Sequence, residues 1–338
     1  MKEQNRNYML DNLKGLLIFL VVWGHSLEFY VDESFCIEVI YTFIYLFHMP
    51  VFVFISGYFS KNVSKCRMKA FRNFFVPYLI FNTLWALVSI PVVGWQNVSL
   101  LTPGWALWYL ISMFYWRILL KDLIKIRFIF PISLIIGISM GLSAEFGAFL
   151  SISRTLFFLP FFLGGYYLSE EKLMKLRNGK KRFSIVMITL TVILAINISY
   201  YNVIPVEFLY GNQSYLEYDI PLLQLIFARI FMYIIGFSFV YILINMIHKT
   251  KTFFTKVGAN TFPIYILHTY LVCLVYIINS YIPFVWLKFL ISIITSMTIT
   301  YLLSRNEVTW YLEKLINWTV LVGSKKKLRK RNKGDITS

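Results

Sequence analysis

Ten stretches of this chain, at about 13–31, 38–59, 72–93, 104–120, 128–144, 153–168, 183–203, 221–247, 258–280 and 284–304, are apolar over roughly the 17–25 residues that a helix needs to cross a ~30 Å hydrocarbon core. Such a chain has few folds open to it, because in hydrocarbon every backbone N–H and C=O must find its partner inside its own helix or a closed barrel. Composition points the same way: 58% of the 338 residues are hydrophobic and only 14% are charged, more apolar surface than a soluble domain of this size can hide. An aromatic share of 19% suits Phe against lipid and Tyr and Trp at the interfaces. The expectation is an all-α polytopic membrane protein of about ten transmembrane helices. Residues 1–305 are expected to form one transmembrane domain, and 306–338 an amphipathic juxtamembrane segment with a basic tail.

The loops test the span count independently, because short cytoplasmic loops hold the Lys and Arg. Lys2 and Arg6 precede the first span; Lys61, Lys65, Arg67, Lys69 and Arg72 follow the second; Lys121, Lys125 and Arg127 follow the fourth. Lys172, Lys175, Arg177, Lys180, Lys181 and Arg182 follow the sixth, and Lys249, Lys251 and Lys256 the eighth. The alternate loops carry Asp32 and Glu33, then no charge between Gly94 and Pro103, then Glu145, then Glu207, Glu217 and Asp219. Both termini are therefore expected in the cytoplasm, with the chain in a plasma or bacterial inner membrane. The formal charge of +17 needs no nucleic acid to explain it. Most of it is inner-loop charge plus the tail from Lys325 to Lys333, each cation of which contributes about 1 kcal/mol against an anionic leaflet, so anionic lipids are expected partners. Val308 to Val322, with Trp310, Leu312, Glu313, Lys314, Leu315 and Trp318, is expected to lie on the membrane surface rather than span it. Cys36, Cys66 and Cys273 have neither disulfide nor metal-ligand spacing, and no metal is expected.

Ionisable groups inside the spans are costly and usually face a bundle interior or a water-filled path. His25, His48 and His268 all fall within apolar stretches. Lys14 and His25 are eleven residues apart, close to three helical turns, which places them on one face with roughly 16 Å of rise between them. Asp11 can pair with Lys14, and Glu28, three residues past His25, can orient its ring. Imidazole takes a hydroxyl proton near neutral pH better than other unperturbed side chains, which makes His25 a candidate general base. The bland alternatives are a snorkelling anchor for Lys14 and a hydrogen-bonded core imidazole for His25. Near His48, Pro50 removes a helix hydrogen bond while Ser56 and Gly57 permit a neighbouring helix to approach closely. Arg154 and Arg229 stand in otherwise uncharged half-spans, where an Arg costs about 2.5–3.5 kcal/mol to insert.

Several runs, taken in order, resemble the acyltransferase 3 family of integral membrane acyltransferases. They are the Asp11/Lys14/His25 stripe; Phe47-His48-Met49-Pro50 continuing to Ser56-Gly57-Tyr58; the basic loop leading to Pro77-Tyr78; Trp105 to Leu110; and Gly258 to His268. Within the family the chain is most similar to stand-alone sugar O-acetyltransferases of the fucose 4-O-acetylase type, over about residues 8 to 305. The resemblance implies transfer of an acyl group, normally acetyl from cytoplasmic acetyl-CoA as co-substrate, to a carbohydrate hydroxyl at or beyond the outer face, on an acceptor that includes polyprenyl-linked sugars. The family's first span carries a basic residue, ten residues, then histidine. Lys14 and His25 match it with Lys where Arg is usual, which keeps the charge and loses the bidentate geometry.

The resemblance, together with the spacing that puts Glu28 beside His25, makes Asp11, Lys14, His25, Glu28, His48 and His268 the expected catalytic group, with His268 either assisting proton transfer or bonding across helices. Arg67, Lys69 and Arg72 are expected to meet the phosphates of coenzyme A, Lys69-Ala70-Phe71-Arg72 standing where the family has Arg-x-x-Arg. Trp105, Trp108 and Tyr109 read as an interfacial belt or as a sugar-stacking platform. Arg154 and Arg229 read as holders of a diphosphate or acidic sugar, or as members of internal ion pairs. His25 either deprotonates the acceptor directly or takes the acetyl group first and passes it on. A transporter of lipid-linked sugars would also have ten spans and intramembrane charge, without needing acetyl-CoA. A non-catalytic scaffold would not need the aligned polar groups.

Overall fold

The computed structural model describes residues 7–144 and 147–334, without the side chains of 93, 97 and 323–334. Lys2, Arg6, Glu145 and the side chains of the basic tail from Lys325 to Lys333 thus lie outside the described residues. Among those described, the regular structure is entirely helical. In chain order the helices are α1 (Tyr8–Glu28), α2 (Phe35–Tyr58), α3 (Val63–Ala70), α4 (Val76–Val93), α5 (Trp108–Leu123), α6 (Ile129–Ser139) and α7 (Ile152–Tyr167). They continue with α8 (Glu170–Arg177), α9 (Lys181–Tyr201), α10 (Leu222–Met246), α11 (Phe253–Ala259), α12 (Thr261–Asn279), α13 (Val285–Leu303) and α14 (Asn306–Gly334). The protein is a multi-pass membrane protein.

Eight of the ten expected spans are long, apolar helices: α1, α2, the joined run of α3 and α4, α7 with its preceding turn, α9, α10, α12 and α13. The other two are shorter than the sequence suggests. The stretch expected from 104 begins its α-helix only at Trp108, because Pro103-Gly104 leads into a 3-10 turn, Trp105–Leu107. Its 16 residues rise roughly 24 Å. α6 gains one 3-10 turn to Leu142 and rises roughly 21 Å. α3 and α4 are joined by a π-helical turn, Phe71–Phe75, a local geometry that hydropathy does not signal and that is frequent at functional sites.

Burial separates the bundle interior from its lipid-facing shell. The apolar windows of α1 and α2 are each 72% buried, against 28% for α9 and 22% for α13. One close contact is between α2 and α7, where Gly57 faces the backbone of Phe162 and Gly165 faces the backbone of Phe54, leaving no room for a Cβ at either site. α1 is tied to α11 in the same manner, Gly258 lying against the Asp11 carbonyl. Asn12 adds a fully used amide: its Nδ2 donates to the carbonyls of His248 and Thr250, and its Oδ1 accepts from the Thr252 and Thr255 hydroxyls.

The basic loops meet at one end of the bundle. Arg67 pairs with Asp122 at 3.3 Å, Arg177 donates to the Asn245 carbonyl, and Arg72 donates to Asn317. At the other end Lys288 pairs with Glu33 at 2.8 Å. α14 docks by one edge, burying Leu312 and Ile316 while Trp310, Tyr311 and Trp318 stay exposed.

Candidate active site

His25 ends α1 inside a cavity of roughly 570 Å³, open mouth included, within the 300–1,000 Å³ typical of small-molecule sites. The i,i+3 spacing on α1 brings Glu28 Oε2 to 3.1 Å from His25 Nδ1. Glu28 is held from two further sides: Trp105 Nε1–H donates to its oxygens at 3.3 and 3.1 Å, and the Tyr45 hydroxyl donates at 3.3 Å. A carboxylate only accepts, so Nδ1 carries the hydrogen and Nε2 the lone pair. Among the described residues nothing hydrogen-bonds Nε2. Trp105 packs its ring edge on the imidazole at 4.6 Å, from a backbone φ of 25° that side chains bearing a Cβ rarely adopt.

The other two intramembrane histidines are fixed by backbone carbonyls. His48 Nδ1–H donates to Ile44 at 2.8 Å, and the ring lines the cavity with its Nε2 lone pair free of partners among the described residues. His268 Nδ1–H donates to the carbonyls of Ile264 and Tyr265 at 3.0 and 2.8 Å. Its ring is fully buried behind His25, centroids 5.4 Å apart, and its Nε2 has no partner among the described residues. The three histidines thus converge, although α12 is remote from α1 in the chain.

Arg154 lines the same cavity, its guanidinium 5.3 Å over the Trp108 ring and its Nε unbonded. No carboxylate among the described residues lies within ion-pair distance of it. Trp108, 7% exposed and stacked on Phe158, belongs to the interior rather than to an interfacial belt. Tyr210, from the turn Val206–Tyr210, closes the cavity with its hydroxyl 2.6 Å from that of Tyr41. Burial and the nearby Glu28 charge push the Tyr210 phenol well above its ordinary pKa, so it stays a neutral hydrogen-bonding group.

Two of the expected substrate-binding residues fall elsewhere, and Lys14, paired with Asp11, lines a second cavity rather than that of His25. Arg229 is 2% exposed and enclosed by the rings of Phe157, Phe208 and Tyr215, with centroids 4.5, 4.3 and 5.6 Å from its guanidinium carbon. It neither faces the cavity nor forms the ion pair that was the other reading. Aromatic faces compensate its charge, a desolvated cation–π contact contributing ~2 kcal/mol or more. Arg229→Met is therefore expected to lower the melting temperature and leave substrate KM values unchanged. A changed KM with an unchanged melt would return Arg229 to substrate binding. Tyr109 also points away: its hydroxyl is 2.6 Å from Ser56 Oγ in a second cavity, of roughly 670 Å³.

That second cavity also holds Lys14, paired with Asp11 at 2.9 Å, and Arg117, which lies 4.7 Å over Phe74 with its Nε unbonded. Arg117 was missed in the sequence, yet the argument that singled out Arg154 and Arg229 applies equally to an Arg in the 104–120 run. At the basic end a third space, of roughly 1050 Å³, is lined by Lys69, Arg72, Asn260, Thr261 and Phe262. Arg67, committed to Asp122, is not part of it. The third space shares Phe74, Thr261 and Phe262 with the second. The second shares Tyr265 with the first, and the Tyr265 hydroxyl donates to the Ala106 carbonyl. The three spaces therefore adjoin one after another from the basic end to His25, with Tyr265 common to the last two.

A family profile described as "Acyltransferase domain" matches residues 7–305. The chain is 30% identical over 131 residues to "Nodulation protein NolL" of Sinorhizobium fredii, covering 32% of this chain and 35% of that protein. It is 31% identical over 105 residues to the protein of the same name from Mesorhizobium japonicum, covering 28% of each. The chain thus spans about a third of the length of the curated relatives it matches. No solved structure matches it significantly. With the match running through His25, the tryptophan turn, Arg117, Arg154 and His268 to the end of the last span, the chain belongs to the acyltransferase 3 family of integral membrane proteins.

Proposed function

We propose that the protein is an O-acetyltransferase that takes an acetyl group from acetyl-CoA at the basic, cytoplasmic end of the bundle and transfers it to a carbohydrate hydroxyl entering from the other side of a plasma or bacterial inner membrane. The observation that carries this reading is His25: Nδ1–H held by Glu28, Nε2 without a partner among the described residues, in a cavity next in line to one that holds Lys14 and Arg117 and one that holds Lys69 and Arg72. His25 Nε2 takes the proton of the acceptor hydroxyl as its oxygen attacks the thioester carbonyl. The tetrahedral intermediate collapses with loss of the coenzyme A thiolate, and the proton on Nε2 passes to that thiolate. Glu28 keeps the ring in one tautomer and stabilises the imidazolium between the two proton transfers. His48 presents a fixed Nε2 acceptor to a second hydroxyl of the acceptor. His268 packs behind His25 and holds its ring plane.

Arg154 supplies a positive charge for an acidic group of the acceptor, phosphate or carboxylate, and Trp105 and Trp108 supply ring faces for a sugar. Lys69 and Arg72 take the donor's phosphates, and Lys14 with Arg117 draws the polar part of the pantetheine arm inward. The polyprenyl carrier of a lipid-linked acceptor would remain in the bilayer.

Two measurements test this reading. Acetate released by mild alkali from the surface glycans of a strain lacking the protein is expected to fall, and wild-type protein is expected to restore it. Unchanged acetate with lipid-linked sugar accumulating inside the cell would instead indicate transport. Purified protein in detergent is also expected to melt higher in acetyl-CoA, a ligand at one hundred times its Kd contributing about 2.7 kcal/mol. A melt indifferent to acetyl-CoA would sink the donor assignment.

A further inference from the structure

The cleft at the basic end is not built from family-matched residues alone. The match stops at 305, and α14 begins at Asn306. Thr309, Glu313 and Ile316, spaced to share one helix face, line the cleft opposite residues of the π-helical turn and the start of α12. The same helix places Asn317 Oδ1 2.8 Å from Arg72 Nε, which donates to it. Arg72 Nη1 makes a longer contact, 3.5 Å, to Asn73. Its Nη2 has no partner among the described residues. A helix that only rested on lipid would turn its tryptophans to the membrane and make no polar bond into the bundle. This one buries Leu312 and Ile316 against the bundle and bonds the cation expected to meet phosphate.

We propose that α14 completes the donor site: it walls the cleft on the side that the family-matched bundle leaves open, and Asn317 is a positioning residue that turns Arg72 toward the phosphates of a nucleotide thioester. The proposal rests on acetyl-CoA being the donor. Holding Nε on Asn317 removes the freedom of a long side chain in advance and leaves the Nη2 edge to the anion. Glu313 is unsuited to phosphate and suited to an amide or amino N–H, so the nucleotide lies with its phosphates on Lys69 and Arg72 and an N–H group on Glu313. Phe74 and Phe262, shared with the second cavity, leave an apolar throat for the pantetheine arm.

The test compares two donors on the full-length protein in detergent: acetyl-CoA, and S-acetylpantetheine, which has the thioester arm and no nucleotide. Asn317→Ala is expected to raise KM for acetyl-CoA about five- to tenfold, as loss of a charged hydrogen bond would, with kcat unchanged and KM for S-acetylpantetheine unmoved. Thr309→Trp, which fills the cleft, should raise the acetyl-CoA KM further and again spare the short donor. Equal penalties on both donors would reduce α14 to a structural brace, and unchanged acetyl-CoA KM in both variants would remove it from the site; either result overturns the proposal. Wild-type protein that uses neither donor would instead overturn the donor reading beneath it.

Discussion

His25→Ala should lower acetyl transfer by about 10²–10⁴-fold, the range over which a positioned general base acts, while the protein still inserts, folds and melts normally. The side chain is positioned for that asymmetry. It sits at the edge of a hollow, its Nδ1 bonds a carboxylate that Trp105 and Tyr45 would still hold, and its Nε2 bonds nothing among the described residues. Truncating it enlarges an existing cavity and orphans no buried donor, so the stability cost stays small. Glu28→Gln should give a smaller loss: the amide can still accept from Nδ1–H but no longer balances an imidazolium. The measurement is alkali-labile acetate on surface glycans, alongside a detergent melt of each variant. A His25→Ala protein with near wild-type transfer would remove His25 from the chemistry.

Gly57→Leu should leave almost no correctly folded protein. A Cβ at Gly57 meets the Phe162 carbonyl, and one at Gly165 meets the Phe54 carbonyl, so the obstacle on each side is helix backbone rather than a side chain that can rotate away. Overpacking in a core ordinarily costs about 1–3 kcal/mol, and relief here requires whole helices to separate. α2 carries Tyr45 and His48, and α7 carries Arg154 and Phe158, so separation would also pull apart two walls of the His25 cavity. Gly57→Ala should already lower the melt by several degrees, taking roughly 2–4 °C per kcal/mol as the scale. Gly147→Ala, where the nearest atoms lie at 3.7 and 3.8 Å, is the control. A Gly57→Leu protein that elutes as a sharp monodisperse peak and melts like the wild type would show that α2 and α7 are looser than drawn.

The spans were legible because hydrocarbon leaves the chain no choice but to satisfy its backbone locally, and the His25–Glu28 pair because i,i+3 is a local relation. Relations between helices were not. Arg154 and Arg229 look alike in sequence, each a lone cation in an apolar run, and only the folded chain separates a cavity wall from a cage of three rings. Trp108 and Tyr109 are adjacent, yet the turn of a helix sends them into different cavities. The loop charge that marks Arg67 as inward-facing could not tell it from Arg72, because Asp122, which claims Arg67, arrives on α5. α14 showed its amphipathicity in advance but not what its buried edge touches.

The adjoining of the second and first cavities at Tyr265 bears on the electrical state of the cell. On the proposed chemistry an acylium equivalent leaves toward the outer face while the proton lost by the acceptor hydroxyl returns inward on the coenzyme A sulfur. One positive equivalent moves each way, so turnover is an electroneutral exchange that the membrane potential neither drives nor opposes. The free-energy difference between the thioester consumed and the oxygen ester formed alone sets its direction, and the bilayer beside it keeps its voltage.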